Sequence, residues 1–315
     1  MLHTFLSNLR AKETTNTILN NIVHSLFIFT IIITLTTTAL GISYYATIKA
    51  LKGNIISANQ KSVSQLEEIS SARIAEISHI VEQISNYYMT SYVLTLDHNW
   101  DKVDANDKLK AQEYGRFLKT VSIPSDIIAD AIVYSDHGEQ IFRGEGVLPA
   151  KKWYNNAFSS PSFQYNDWNK VVKNAQGEVL RKCIYLQNGS PLEVIPYVQK
   201  LPLGSKKQFS GYICLLLNPS IFFTEGGDRN TDNAFLVLDR NKKLIVDNDK
   251  GFEDLSELHL YAGKNKYSYT QYVEGHRQLI SYVRSQNGLY FVVISSYVTF
   301  LRPATFLQSI FIIML

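Results

Sequence analysis

Residues 22–48 read IVHSLFIFTIIITLTTTALGISYYATI, a run without Asp, Glu, Lys or Arg. A helix needs about 20 apolar residues to cross a bilayer, and this run exceeds that length. Arg10 and Lys12 precede it, Tyr44 and Tyr45 stand where an interfacial aromatic belt would lie, and Lys49 and Lys52 follow. Ala39 and Gly41 have the small-x-small spacing of a signal-peptide cleavage site, but the apolar part of such a peptide is only about 7–15 residues long. A buried core helix is the third reading, and it fits poorly with so long a charge-free run. The expectation is an uncleaved transmembrane anchor at residues 22–48 after a cytoplasmic N-terminus at residues 1–21.

A second apolar run, RPATFLQSIFIIML, occupies residues 302–315. Pro303 suits the first turn of a helix, where its missing N–H is an orphan anyway, and Arg302 suits the headgroups. Residues 304–315 rise roughly 18 Å as a helix, against a hydrocarbon core of about 30 Å. Either this is a short amphipathic tail, or residues 303–315 begin a second transmembrane helix cut short. The second is the expectation, giving a multi-pass cell-membrane protein with two spans when complete and an extracytoplasmic central domain.

The 315 residues are 45 % hydrophobic and 19 % charged, enough to bury one large core or two ordinary ones. A net charge of +3, with basic and acidic residues interspersed, leaves no stripe for nucleic acid. Cys183 and Cys214 lie in apolar runs of strand character, which excludes a disulfide framework and a cysteine-based zinc site. They read as small buried hydrophobes, with a single bridge between them open in an oxidising compartment.

Between Gly53 and Gly115 there is no Gly or Pro, and Val63, Leu66, Ile69, Ile77, Ile80, Ile84 and Tyr87 recur at helical spacing. This predicts a long helix continuing outward from the anchor. Its apolar stripe can bury against its own domain or against the same helix of a second copy. A shorter helix is expected around residues 107–121. The texture then changes to strands and turns. AIVYSDHGEQIFR, residues 131–143, reads as a hairpin turning at Asp136, His137 and Gly138, and RKCIYLQN, LEVIPYVQKL and GYICLLLN read as three further strands. A second hairpin, AFLVLDRNKKLIVDND, turns over residues 239–242 and is followed by KYSYTQYVEG, HRQLISYVRSQN and LYFVVISSYV. Two units therefore repeat one α+β plan.

This order resembles the double Cache, or tandem PAS-like, extracytoplasmic sensor domains of bacterial transmembrane receptors. The resemblance covers nearly the whole chain, with AIVYSDHGEQIF and AFLVLDRNKKLIV similar to the first strand pairs of the distal and proximal units, and SYVRSQNGLYFVVISS similar to the closing strands. It implies an α+β fold: a long N-terminal helix, then two PAS-like antiparallel-sheet units, flanked by transmembrane helices. The distal unit with its stalk helix would be residues 53–225, and the proximal unit residues 226–300.

One motif is more specific. KKWYNNA, residues 151–157, resembles the Arg-x-Trp-Tyr stretch lining the distal pocket of amino-acid-binding members, with Trp153 and Tyr154 matching and Lys151 in place of Arg. Two aromatics supply apolar walls, and a cation can hold a carboxylate, although Lys lacks the bidentate fork of Arg. The aspartate that holds an amino group in the family is missing from EVIPYVQ, residues 193–199, so the resemblance does not carry an α-amino acid ligand over to this chain. Tyr134, Trp168, Tyr185 and Tyr197 are further candidates for the same face. The competing reading has Trp153 and Tyr154 only packing a loop onto the sheet, and the other four as core or rim.

No catalytic or metal signature stands out. DNDKG at residues 247–251 has its glycine one place too early for a calcium loop and no closing Glu. The seven histidines are scattered without an HxxxH pair. NGS at Asn188 fits a glycosylation acceptor, relevant only in a eukaryotic secretory pathway. No cofactor is expected, and no enzyme activity within this chain. The function expected is small-molecule sensing across a membrane, with a small ligand, membrane lipid and a second copy as partners. By resemblance, the output would be a histidine kinase or AraC-type regulator, with a response regulator or DNA engaged only through a part beyond Leu315. The alternative is a membrane-anchored adhesion protein binding a macromolecule, which predicts an exposed apolar patch instead of a pocket beside Trp153 and Tyr154.

Overall fold

The computed structural model describes residues 2–96, 100, 103–122, 126–158, 164–187, 189–201, 210–223, 233–248, 258–260, 265–273 and 275–296, with side chains from residue 20 onward. Residues 303–315, with their expected second membrane helix, Asn188 and the DNDKG segment beyond Asn248 lie outside these. The described residues fall into two units, residues 2–57 and residues 58–296.

In the first unit, helix α1 (Leu2–Asn86) begins. Beyond Asn20 it is long and apolar enough to cross a membrane, and none of its apolar window is buried. The threonines of the run need hydrogen-bond partners in such a setting. Thr30, Thr34 and Thr38 each donate to the carbonyl four residues back, at 2.8, 2.8 and 2.7 Å, so their hydroxyls are satisfied within the helix.

In the second unit, α1 turns an apolar stripe inward: Val63, Leu66, Ile77, Ile80, Val81 and Ile84 are all buried. The stripe thus packs on the chain's own domain. Ile69, expected in it, is 40 % exposed, because Ser70 takes the inward position at that turn. The helix ends where Tyr87 adopts extended backbone and stacks on Phe117 at 3.8 Å between ring centroids. A short helix α2 (Tyr88–Val93) and α3 (Ala105–Ser122) follow. Gly115 lets α3 lie on the sheet: a Cβ there would sit 2.6 Å from the carbonyl oxygen of Arg143.

The distal strands are β1 (Ile128–Ser135), β2 (Gln140–Arg143), β3 (Gly146–Pro149), β4 (Glu178–Val179), β5 (Cys183–Gln187), β6 (Ser190–Leu201) and β7 (Gly211–Leu217). Between β3 and β4 lie α4 (Ala150–Ala157) and α5 (Tyr165–Asn174). The proximal strands are β8 (Ala234–Leu238), β9 (Leu244–Asp247), β10 (Lys266–Val273), β11 (His276–Arg284) and β12 (Tyr290–Ser296). The sheet orders are β3-β2-β1-β7-β6-β4, with β5 also on β6, and β10-β11-β12-β8-β9. In both, the last strand inserts beside the first strand of the hairpin, which is the repeat expected from sequence. The short strands β3 and β4 are additions to the distal unit. In the proximal hairpin, the Asp239 carboxylate accepts from the backbone N–H of Asn241 and Lys243, at 2.7 and 2.8 Å, and Lys242 takes a positive φ of 64°.

Pro196 breaks one strand into two. Val179 faces Tyr197 and Cys183 faces Val194, so residues 180–183 hold one residue more than the stretch of β6 opposite them. Leu180 donates to the carbonyl of Pro196 at 2.8 Å, but Pro196 has no N–H to return. The ladder bulges there, and Lys182 turns its N–H away to the carbonyl of Ile245 on β9, at 2.9 Å.

Three cores result. One lies under α1, α2 and α3 and takes the inner faces of both sheets, from Ile213 and Leu215 to Val237 and Phe291. The second lies on the opposite face of the distal sheet under α4 and α5, and the third on the opposite face of the proximal sheet.

Candidate functional site

Ala150, Trp153, Tyr154 and Ala157 recur at helical spacing and form the buried face of α4. Trp168 and Val172 do the same on α5. The two faces meet over the distal sheet in one aromatic cluster. Trp153 lies 5.8 Å and Tyr154 5.3 Å from Trp168, ring centre to ring centre. Phe158 sits edge-on to Trp153 at 5.4 Å and reaches Tyr185 at 5.8 Å. Tyr165 lies 5.7 Å from Tyr154.

Five of the seven candidate residues therefore share one core: Tyr134, Trp153, Tyr154, Trp168 and Tyr185. Tyr197 belongs to the other face of the sheet, with the core under α1, where its hydroxyl bonds Ser78. Lys151 is exposed on α4, one position off the buried face, and does not join the aromatics.

The charge on this face comes from residues that sequence reasoning missed. Asp130 Oδ2 accepts from Tyr185 Oη at 2.7 Å and pairs with Arg143 Nη2 at 3.0 Å, while Asp130 Oδ1 accepts from the N–H of Ala131 at 2.9 Å. Arg143 also pairs with Glu145 at 3.2 Å. Both Asp130 and Arg143 side chains are only 12 % exposed. Burial raises the Asp130 carboxyl above its ordinary value, partly countered by Arg143, Tyr185 and the Ala131 N–H. The hairpin register was the available signal: Ile132 faces Arg143, and side chains of like parity on β1 share its face.

Burial also pushes the Tyr154 hydroxyl up to about 12, with Cys183 and Asp167 adding to it, and the Tyr185 hydroxyl further. These phenols are neutral donors near neutral pH. Both cysteines carry free thiols, Cys214 buried and Cys183 half-buried. The indole N–H groups of Trp153 and Trp168, on side chains 1 % and 3 % exposed, have no acceptor among the described residues. A buried donor without a partner costs about 1–3 kcal/mol, so an acceptor brought by a ligand would offset that cost. The arrangement offers flat apolar walls, two indole donors without acceptors among the described residues and a buried ion pair.

No family model matches the chain, and no curated protein matches it. Solved structures do. The periplasmic sensory domain of the Campylobacter jejuni chemoreceptor Tlp1 aligns with 80 % of this chain and 99 % of its own, at 11 % identity and a TM-score of 0.52. The ligand-binding domain of Mlp24 with asparagine aligns at 8 % identity and a TM-score of 0.49, covering 82 % of this chain and 98 % of that one. The sensory domain of Campylobacter jejuni Tlp3 with isoleucine bound aligns at 10 % identity and 0.46, covering 81 % and 97 %. At such identities the likeness concerns the backbone alone, and the one to Tlp1 agrees with the expected α+β fold of a long helix followed by antiparallel sheets. The central part of the chain has the fold of a chemoreceptor's periplasmic sensory domain.

Proposed function

We propose that the chain is the extracytoplasmic small-molecule sensor of a membrane receptor, with the ligand held by the distal aromatic cluster under α4 and α5. The observation that carries this is the pair of buried indole donors, Trp153 and Trp168, left without acceptors among the described residues and set between aromatic walls. Asp130 and Arg143, on the same sheet face, supply charge of both signs at the cluster's edge. Tlp1 uses the same fold as a periplasmic sensory domain, which supports that role here. The sensor would comprise residues 53–225 and 226–300, tethered by the anchor at residues 22–48. A ligand shifts such a receptor only by its difference in affinity for two arrangements. The Lys182–Ile245 hydrogen bond offers a route from the distal cluster to the proximal sheet.

The test is a thermal-shift screen of the full chain in detergent against a metabolite library. One compound should raise the melting temperature saturably, and Trp153→Phe, which keeps an aromatic ring and removes the donor, should weaken that effect about tenfold or more. A broad library without a single saturable hit would count against the sensor.

A further inference from the structure

We propose that the cleft between the distal and proximal sheets is a second binding site, for a small organic anion with a flat apolar body. This goes beyond the distal cluster, since the cleft has its own charges and its own proximal wall. Its volume is about 1700 Å³. One wall is apolar and aromatic, formed by Tyr154, Phe158, Trp168 and Ile184 from the distal side and by Leu244 and Leu258 from the proximal side.

The charge is unbalanced. Arg181, Lys182, Arg240, Lys242 and Lys243 line the cleft against Glu178, Asp239 and Asp247, five cations to three carboxylates. Three of the cations are engaged. Lys182 pairs with Glu193 at 3.3 Å and with Asp247 at 3.8 Å, and Arg240 pairs with Glu178 at 3.2 Å. Lys242 donates to the carbonyl of Leu260 at 3.0 Å. Arg181 and Lys243, one from each side of the cleft, are exposed and make no ion pair among the described residues. Two unneutralised cations flanking an aromatic wall suit a carboxylate or sulfonate on a planar ring system. The unpaired indole N–H of Trp168, itself a lining residue, adds a buried donor on the same wall.

Naphthalene-1-sulfonate is a probe of this chemistry, and 1-naphthalenemethanol is its neutral counterpart. Each is titrated calorimetrically into the full chain in phosphatidylcholine nanodiscs, with empty nanodiscs as the blank. Saturable binding of the sulfonate is expected, weaker at high salt and weaker for the alcohol. The double variant Arg181→Gln/Lys243→Gln should lower the affinity about tenfold, and Lys151→Gln, an exposed cation on α4 outside the cleft lining, should leave it unchanged. Among the described residues neither changed side chain has a partner to lose, and an unaltered melting temperature checks that the double variant folds. No saturable binding up to about 5 mM, equal binding of the alcohol, or an unchanged affinity in the double variant overturns the proposal. Failure of the distal site shows differently, as a metabolite effect indifferent to Trp153→Phe while sulfonate binding persists.

Discussion

Lys182 bridges the two sheets twice: its backbone N–H reaches the carbonyl of Ile245 at 2.9 Å, and its ammonium lies 3.8 Å from Asp247 two residues further along β9. The backbone bond forms where the ladder between residues 179 and 183 and β6 bulges opposite Pro196. The side-chain pair is only partly shielded, with Lys182 21 % and Asp247 17 % exposed.

Lys182→Met keeps the backbone bond and removes the ion pairs to Glu193 and Asp247. A loss of about 1 kcal/mol of stability is expected, the range of partly exposed pairs. The amides of β9 should exchange faster with deuterium while those of β1 and β7 stay as they are. Unchanged exchange over residues 244–247 would show that the side chain does not fasten the sheets.

Asn59, on α1, is buried and donates to Ser295 Oγ on β12 at 2.7 Å. Asn59→Ala leaves that serine hydroxyl without its donor in a dry core, which should cost about 1–3 kcal/mol. A double-mutant cycle with Ser295→Ala, read by thermal unfolding, should give a coupling of at least about 0.5 kcal/mol. Additive losses would mean that the bond contributes nothing of its own.

The raised Asp130 carboxyl gives a pH dependence of defined sign. Its folded pKa lies above the unfolded one, so the folded state favours the protonated form. Stability from this group is present below the ordinary aspartate value of about 4 and is lost as pH rises through the folded pKa. Relative to Asp130→Asn, the wild type should therefore lose melting temperature as pH climbs from about 4 toward neutrality. A wild type that gains on the variant over that range would show that Arg143 outweighs burial.

Burial pushes the Cys183 thiol up to about 12 and raises that of Cys214 as well. Little thiolate forms near pH 8, so iodoacetamide should label the native chain far more slowly than the unfolded one. Rapid labelling of Cys183 in the folded protein would mean that its strand opens readily.

Periodicity made much of this fold legible. The hairpin turns at residues 136–138 and 239–242 could be read because turn chemistry interrupts strict alternation, and Trp153 and Tyr154 fell together because they are helical neighbours. Lys151 could have been set aside by the same rule, since Ala150, Trp153, Tyr154 and Ala157 already define the inward face of α4. Tyr197 was harder: its face depends on the register of β6 against β7, where it pairs with Leu215, and no motif marks that register. Asp130 and Arg143 were overlooked because their meeting arises from hairpin register rather than from any motif. The strands β3 and β4 are too short to leave a pattern, and Pro196 was readable as a residue but not as the cause of a bulge.

Residues 59 and 64 of α1 bond strands of the proximal sheet, residue 73 bonds the link between the sheets, and residue 78 bonds the distal sheet. Anyone grafting the first of the two sheets onto another protein must carry the matching turns of this helix with it. A chimera joined at the apparent seam after residue 223 would expose the apolar underside of both halves.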